Sequence, residues 1–273
     1  IVLAWESVAD LCQGDHGALR SAIERLCALG VDIAVVAGDD LATVDGCLVA
    51  RPGIEGRLFF VLSNGAESYS VGPGGPRLVE RSHPVDRWER ALQEAAEAVC
   101  AVLGELGVPA RLAGGSRGYR MLDLAPEYRA DMAAEGDLRQ AVEGSLRAVG
   151  LAGLGAVVGM ARDVARARGL PRPVLTTDGR TLTIGLSGMA DAARWVVRNL
   201  LRGRNREPGD MLLIGSQFGT RGGVPGRESR LLVPELVGAT VISVGDEERP
   251  PPSVQQVGGG PPAALKLLDR QIQ

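Results

Sequence analysis

The chain has 273 residues with a formal net charge of −3, and 45% of its residues are hydrophobic. This length is sufficient for one large domain or two modest ones with buried cores. Mild acidity argues against a dedicated nucleic-acid-binding protein, which carries a basic face. With 3% aromatic residues, the chain also offers few rings for stacking single-stranded bases. No apolar run reaches the roughly 18 residues of a membrane span, and no signal peptide is visible.

Histidine, cysteine and lysine are used sparingly. Two histidines exclude a histidine-rich metal site. Because the cysteines form no C-x-x-C pair, we expect the reduced, buried thiols of a cytoplasmic protein rather than disulfides. These cysteines are Cys12, Cys27, Cys47 and Cys100. The single lysine, Lys266, beside many arginines, alanines and glycines suggests a bacterial genome rich in G and C.

The first part of the chain alternates strands and helices. Buried strands are predicted at 1–5, 31–36 and 57–63, with helices at 17–29 and 40–49 between them. Strand, helix and strand at this spacing predict a parallel βαβ crossover. A hairpin is predicted at 68–80, around the glycine- and proline-rich segment 72–76.

The middle of the chain has a different pattern, in which short antiparallel strands are mixed with helices. This change predicts an α+β module inserted into an α/β core. Its predicted elements are helix 85–106, strands 108–112 and 119–124, separated by the glycine-rich 114–118, helices 136–149 and 153–167, and strands 171–177 and 181–186.

The last part returns to the first pattern. Its predicted elements are helix 190–201, strand 211–214, loop 218–229, a last core strand 239–244, surface loop 245–262 and closing helix 262–272. The predicted fold class is therefore α/β. A Rossmann-like core with a mainly parallel sheet comprises residues 1–82 and 188–273, and an inserted α+β cap comprises residues 83–187.

Several segments carry a resemblance to a known family. The first strand leads into the polar turn Trp5-Glu-Ser-Val-Ala-Asp10, and three later segments follow in order. They are Ile184-Gly-Leu-Ser-Gly-Met-Ala-Asp-Ala-Ala-Arg-Trp195, Gly215-Ser-Gln-Phe-Gly-Thr-Arg-Gly-Gly223 and Gly258-Gly-Gly-Pro261. Together they resemble the haloacid-dehalogenase (HAD) superfamily, in the capped subclass that includes trehalose-phosphate phosphatases. The resemblance implies a HAD core with a cap between its second and third motifs.

The family hydrolyses phosphate esters with an attacking carboxylate, a second carboxylate that protonates the leaving group, a hydroxyl, a lysine and acidic Mg²⁺ ligands. The resemblance implies that all of these positions have changed. The residues that stand there are Glu6 for the nucleophile, Val8 for the acid, Ala37 for the hydroxyl, Met189 for the lysine, and Ser216 and Gln217 for the metal-binding acids. Farther along that loop, Glu228 remains acidic.

These changes predict that phosphoryl transfer is lost. The extra methylene of Glu6 misplaces the attacking oxygen, and a misplacement of about 1 Å costs about a hundredfold in rate. Val8 transfers no proton. With Ser216 and Gln217 in place of carboxylates, we expect no bound metal and no cofactor.

Polar residues at the ends of the predicted strands are candidates for a replacement function. Glu6 is the best candidate for an acid, a base or a cation-pairing group; the plain alternative is that it accepts hydrogen bonds from nearby amides. Asp39 and Asp40 suit the N-terminal cap of the next helix. The guanidinium group of Arg117 or Arg120 is a candidate to bind an anion through two hydrogen bonds. The alternative is that these arginines are solvated surface side chains. The full set of ligand-binding candidates is Ser7, Asp10, Asp39, Asp40, Arg117, Arg120, Glu127, Tyr128, Thr177 and Arg180.

Two functions follow from this pattern. In the first, a pseudoenzyme keeps the cleft between core and cap to bind a small molecule or a protein partner, without binding nucleic acid or membrane. In the second, a repurposed enzyme of a specialised-metabolite pathway uses Glu6 as acid or base in a metal-independent cyclisation, isomerisation or dehydration. An active phosphatase with a shifted site ranks last, because no Asp-x-Asp lies near the first strand. The oligomeric state stays open.

Overall fold

A computed structural model describes residues 1–13, 16–82, 86–128, 135–221, 224–247 and 249–273. The chain divides into two compact units. The core unit comprises Ile1–Ser82, Gly188–Gly219 and Glu228–Gln273, and the cap unit comprises His83–Ser187 and Thr220–Arg227. The division proposed from the sequence differs from these units at 220–227. Within the described ranges, no helix has both the length and the apolar character needed to cross a bilayer.

Strands and helices are numbered along the whole chain. The strands are β1 Val2–Ala4, β2 Ile33–Val36, β3 Leu58–Leu62, β4 Glu67–Gly72, β5 Gly75–Arg81, β6 Arg111–Ser116, β7 Tyr119–Asp123, β8 Val174–Thr177, β9 Thr181–Gly185, β10 Leu212–Gly215, β11 Thr220–Arg221, β12 Val224–Pro225, β13 Thr240–Ser243 and β14 Val254–Gln256. The helices are α1 His16–Ala28, α2 Leu41–Leu48, α3 Asp86–Glu105, α4 Glu135–Ala148, α5 Leu154–Ala167, α6 Met189–Val196 and α7 Gly260–Arg270.

The core unit is built on a sheet with the strand order β14-β13-β10-β1-β2-β3-β4-β5. Strands β14 to β3 pair in parallel, whereas β4 and β5 are antiparallel additions at one edge. The predicted α/β class with a mainly parallel sheet is therefore confirmed. The prediction that 239–244 forms the last core strand is wrong, because β14 follows it. A three-residue strand with one buried apolar side chain, Val254, gives too short a pattern to stand out in a glycine- and proline-rich segment.

The side chains of the sheet alternate between two packed layers. On β2, Ile33 and Val35 face α1, α2 and α7, whereas Ala34 and Val36 face α6. Because both faces are covered, the inner strands are continuous apolar runs rather than alternating ones. This is why the sequence marks them clearly.

Helix α6 lies directly beside the turn that follows β3. Gly65 in this turn has a φ of +87°, and a Cβ atom there would lie 2.5 Å from the backbone nitrogen of Ala192 in α6. The close approach therefore requires glycine. After Val196 the helix continues as a π-helix, Val197–Leu201, instead of the single α-helix predicted at 190–201.

The cap unit has a four-stranded antiparallel sheet in the order β6-β7-β9-β8. One face of this sheet packs Leu122, Leu182 and Ile184 against the apolar sides of α3 and α5. The predicted glycine-rich break at 114–118 is wrong in part, because β6 continues to Ser116 through Gly114 and Gly115, whose φ angles are +156° and +146°. Glycine forms strands poorly, which is why the sequence pattern ended this strand too early.

The cysteines do not all follow the expectation of reduced thiols. Cys27 and Cys100 are free, and burial raises the pKa of the Cys27 thiol to about 12. Cys47, by contrast, is disulfide-bonded. The expectation is wrong for Cys47, because scattered spacing in the sequence says nothing about which residues meet in space.

Candidate functional site

The carboxyl ends of β1 and β10 form the centre of the candidate site. The two strands are parallel neighbours, with Leu3 opposite Ile214. Glu6 follows the end of β1 by two residues, and Ser216 comes directly after β10. In open α/β sheets, ligands bind outside this edge. The topology therefore brings together two of the positions that the sequence singled out.

The turn after β1 is a 3₁₀ helix, Trp5–Ser7, in which only Glu6 is partly exposed. The hydroxyl of Ser7 is buried and donates to the carbonyl of Ala4 at 2.6 Å. Val8 is fully buried in the hydrophobic core. Ser7 is thus committed to the backbone, which argues against its predicted role in ligand binding, while Asp10 is exposed.

The loop after β2 is held by its backbone. Ala37 is fully buried; its amide donates to the carbonyl of Val61 and its carbonyl accepts from the amide of Asn64, both at 3.0 Å. The carbonyl of Asp39 accepts from the amide of Ser63 at 2.9 Å. Ala37 therefore brings no hydroxyl to the position for which the sequence resemblance implies one.

Asp40 is the N-terminal cap of α2. Its carboxylate accepts hydrogen bonds from the amide of Thr43 at 2.9 Å and from the Thr43 hydroxyl at 2.8 Å. These bonds lower the pKa of Asp40. The capping role predicted for this residue is confirmed, and its carboxylate is occupied by the helix.

The first residue of α6 is Met189, which is 1% exposed and packs against the sheet. The helix start is held by Asp191, whose carboxylate accepts the amide of Gly188 at 2.9 Å. A thioether side chain turned into the core supplies no charge at the position for which the sequence resemblance implies a lysine.

The loop after β10 binds carboxylates of its own chain. Three consecutive amides, those of Ser216, Gln217 and Phe218, point at acidic side chains; this segment is called the amide loop below. The amides of Ser216 and Gln217 donate to Oε2 of Glu228 at 2.5 and 2.8 Å. The amide of Phe218 donates to Oε1 of Glu247. Consecutive amides of this kind form an anion site, and here the anions are intramolecular.

Glu228 is completely buried. Burial is the largest cause that raises its pKa from 4.5 to about 8, and the negative charge of Glu6 is the next. The charge of Glu247 adds to these, while the hydrogen bonds from Gln217 and Ser216 oppose them. Oε1 of Glu228 is buried and has no hydrogen-bond partner within the described part of the chain. Glu228 therefore favours its neutral form near neutral pH.

The sequence patterns missed the role of Glu247, because they placed it in a surface loop. A usable signal was nonetheless present. Glu247 lies four residues beyond the carboxyl end of β13, and β13 is the parallel neighbour of β10. Parallel neighbours end at one edge of a sheet, so an acid after β13 lies near the loop after β10.

Two arginines predicted to bind ligands are instead paired inside the cap unit. Arg120 contacts Gln93 at 2.6 Å and Glu89 at 3.3 Å, both on α3. Arg180 forms a two-point pair with Asp123, at 3.1 Å from Nε and 2.9 Å from Nη2. Strand alternation turns Arg120 towards α3, and a β-hairpin places Arg180 beside Asp123. These contacts occupy both guanidinium groups, and ligand binding by either residue stays a prediction.

The other cap candidates are divided between structural and exposed positions. The hydroxyl of Thr177 is buried and accepts the amide of Gly179 at 3.0 Å, which fixes the β8–β9 turn. Arg117 is exposed and lies 3.5 Å from Asp86. Glu127 and Tyr128 are also exposed. Arg117, Glu127 and Tyr128 thus keep side chains that a ligand can reach.

The residues at this edge do not fit Mg²⁺. Across the described ranges, no group of three histidine, cysteine, aspartate or glutamate side chains is arranged to hold a metal ion. Ser216 and Gln217 bring no carboxylate, and Oε2 of Glu228 already accepts two amides. Mg²⁺ requires near-octahedral oxygen ligands, which this arrangement does not provide.

Comparisons with known proteins place the fold. No family model and no curated protein matches the chain. Among solved structures, N-terminally truncated IMP-nucleotidase of Plasmodium falciparum matches with 12% identity, over 100% of this chain and 69% of that one, and a TM-score of 0.62. Trehalose-6-phosphate phosphatase of Aspergillus fumigatus matches with 10% identity, over 99% and 91%, and a TM-score of 0.53.

A trehalose-6-phosphate phosphatase related protein matches with 14% identity, over 100% of this chain and 97% of that one, and a TM-score of 0.51. These structural neighbours are HAD-superfamily phosphatases. At such identities the likeness concerns the fold and not the chemistry. It confirms the fold implied by the sequence resemblance: the chain has the fold of the HAD-superfamily phosphatases.

Proposed function

We propose that this chain is a catalytically degenerate HAD-fold protein, without Mg²⁺-dependent phosphatase activity, that binds a small molecule or a protein partner. The amide loop carries the proposal. Its three amides, which would suit an anion, are occupied by Glu228 and Glu247. A phosphate at this edge would have to displace the protein's own carboxylates.

The remaining positions support the same conclusion. Val8, Ala37 and Met189 are fully or almost fully buried and apolar. None of them donates a proton, binds a phosphoryl oxygen or supplies a positive charge. Catalysis of phosphoryl transfer depends on such positioning and charge stabilisation. Without a proton donor, a phosphoryl-binding group and a positive charge, the whole reaction is affected and not a single step of it.

A phosphate-release assay tests this proposal. The purified protein is incubated with p-nitrophenyl phosphate and with sugar phosphates, with and without Mg²⁺. We expect release equal to that of a buffer blank in both conditions. Release that needs Mg²⁺ and disappears in Glu6→Gln contradicts the proposal, and Glu94→Gln, an exposed change on α3, is the matched control.

One observation favours a second function, a metal-independent enzyme that uses Glu6 as acid or base. Glu6 acts electrostatically on Glu228, a carboxyl group that favours its neutral form. Pairs of carboxyl groups in different surroundings are one recurring basis of acid–base catalysis. The test compares small-molecule cell extracts, by mass spectrometry, after incubation with the native protein and with Glu6→Gln. A product formed only by the native protein supports this function, and identical extracts contradict it.

A further inference from the structure

A cavity lies within the core unit at the edge of the sheet opposite the amide loop. Its volume is about 310 Å³, within the range of about 300–1,000 Å³ that small-molecule sites occupy. Residues at the amino ends of β1, β2 and β10 form one side of it, and α6 with the following π-helix forms the other. It is called the amino-edge cavity below, and its apolar walls comprise Val2, Val31, Val196, Leu200, Leu201 and Met211.

The apolar walls are set in the packed core. Val2, Val196 and Met211 are buried and belong to one hydrophobic cluster between the sheet and α6. Leu200 and Leu201 join the same cluster from the π-helix. A π-helical turn is wider than an α-helical one, and such turns occur frequently at functional sites. The cavity is therefore preformed, with walls that suit a hydrocarbon group.

A guanidinium group lies at the rim of the amino-edge cavity. Arg206 is exposed and lines the cavity. Its amide donates to the carbonyl of Leu201 at 2.9 Å, after Asn205 reverses the chain with a φ of +52°. This bond holds Arg206 next to the π-helix. Within the ranges that the structure describes, its guanidinium forms no ion pair, so it is available to an anion.

The acids beside the cavity already have partners. Oδ1 of Asp32 accepts hydrogen bonds from Arg57 at 2.8 Å and from Arg204 at 2.7 Å. Two guanidinium groups on one carboxylate leave that group of three with a net positive charge. The carboxylate of Asp210 accepts a backbone amide at 3.2 Å. With Arg206 included, guanidinium groups outnumber carboxylates at this rim, which favours an anionic ligand.

We propose that the amino-edge cavity binds a small monocarboxylate. Its hydrocarbon body packs against the apolar walls, and its carboxylate accepts two hydrogen bonds from the guanidinium of Arg206. A neutral molecule of the same shape gains only the apolar contact, and a cationic one is repelled. This site lies at the other edge of the sheet from the amide loop and does not rest on the function proposed there.

Methyl NMR tests the proposal with sodium octanoate as the probe and 1-octanol as its neutral counterpart. The chain has five methionines, and the methyl resonance absent in Met211→Leu is assigned to Met211. We expect octanoate to move this resonance along a saturable curve and to bind about tenfold more tightly than octanol. Arg206→Ala removes this difference by weakening octanoate alone. Arg202→Ala, an exposed change outside the cavity lining, leaves both affinities unchanged.

Three results overturn the proposal. The first is a Met211 resonance that octanoate does not move, as when another segment of the chain fills the cavity. The second is an octanoate affinity that Arg206→Ala does not change. The third is a response of Met189, at the start of α6, in place of Met211, because binding then lies elsewhere.

A cavity-filling variant gives a further readout. Val31→Phe is expected to abolish the response of Met211 to both probes, and undiminished binding contradicts the proposal. If this variant does not fold, nuclear Overhauser contacts between octanoate and the Met211 methyl group in the native protein replace it, and their absence contradicts the proposal equally. A positive phosphate-release assay contradicts the function proposed for the amide loop but leaves this site standing, so the two failures are distinguishable.

Discussion

Two buried carboxyl groups, one in each unit, differ in how the unfavourable burial of a negative charge is avoided. Asp123 in the cap unit is 5% exposed and Glu228 in the core unit is 0% exposed. Asp123 faces the guanidinium of Arg180 through two hydrogen bonds. Although burial is the largest single influence and raises its pKa, Arg180 and the amide of Ala125 leave the pKa of Asp123 below its ordinary value.

Glu228 is surrounded by acidic neighbours instead, and its pKa rises to about 8. A guanidinium therefore balances the buried charge in the cap unit, whereas a proton removes it in the core unit. Burial alone does not decide the charge of an acid; the partner does. In the core unit, this difference marks the residue with a candidate role beyond stability.

The largest expected effect on stability comes from removing the charge of Asp123, which the guanidinium of Arg180 balances. Asp123→Asn leaves the partly buried guanidinium of Arg180 without its counter-charge. We expect the free energy of unfolding at neutral pH to fall by about 3 kcal/mol, measured by urea denaturation.

The matched control for Asp123→Asn is Glu143→Gln, which removes an exposed pair with Arg147 on α4 and costs less than about 0.5 kcal/mol. The direction in which the stabilisation by Asp123 changes with pH is also defined. Because the folded pKa of Asp123 is lowered, its stabilisation is present above the unfolded pKa of about 3.9 and is lost as pH falls through the folded value. Equal losses in both variants contradict the comparison.

The stability that Glu228 contributes is expected to change with pH in the opposite direction to that of Asp123. The folded pKa of Glu228 is raised from 4.5 to about 8, so its stabilisation is complete below the lower value and is lost as pH rises through the higher one. In Glu228→Gln this slope disappears. We expect the variant to gain about 2 kcal/mol over the native protein between about pH 5.5 and pH 7.5, measured by urea unfolding at each pH. A variant that follows the native slope contradicts the assignment of this proton.

A smaller effect is expected when the packing around Glu228 is disturbed. Gly215→Ala introduces a methyl group where the carboxyl group and the Phe218 ring lie. Overpacking of this kind costs about 1–2 kcal/mol, measured by thermal unfolding. Gly144→Ala, on α4 with open space around it, should instead stabilise the protein by up to about 1 kcal/mol. Equal responses at the two glycines are evidence against the close packing at Gly215.

The smallest effect is expected at an exposed cap residue. Arg117 lies 3.5 Å from Asp86, and both side chains are more than half exposed. Arg117→Ala is expected to change the free energy of unfolding by less than about 0.5 kcal/mol. A larger change in chemical denaturation shows that Arg117 belongs to the structure and removes it from the ligand-binding candidates.

Much of the core sheet could be predicted from the sequence. Strands such as β2 and β3 are buried on both faces, so their apolar runs are unbroken. The N-terminal cap at Asp40 is likewise a local signal. What failed was non-local or weakly patterned: the three-residue β14, the glycine-rich end of β6 and the disulfide of Cys47.

The candidate site was predictable at its backbone positions but not in its contacts. Glu6 and Ser216 meet because β1 and β10 are neighbours, as the strand pattern allows. No periodicity in the sequence predicts that Glu228 and Glu247 accept hydrogen bonds from the amide loop. The sequence pattern also does not predict that Arg120 and Arg180 pair with acidic residues of the cap unit, because such contacts depend on tertiary packing.

The amide loop also has an evolutionary consequence. Replacing Ser216 by aspartate would place a further carboxylate beside Glu228, on which the charges of Glu6 and Glu247 already act. Such a substitution adds repulsion before any gain in metal affinity is possible. A metal site at this edge therefore lies several substitutions away, and each early step towards it lowers stability before it offers a ligand.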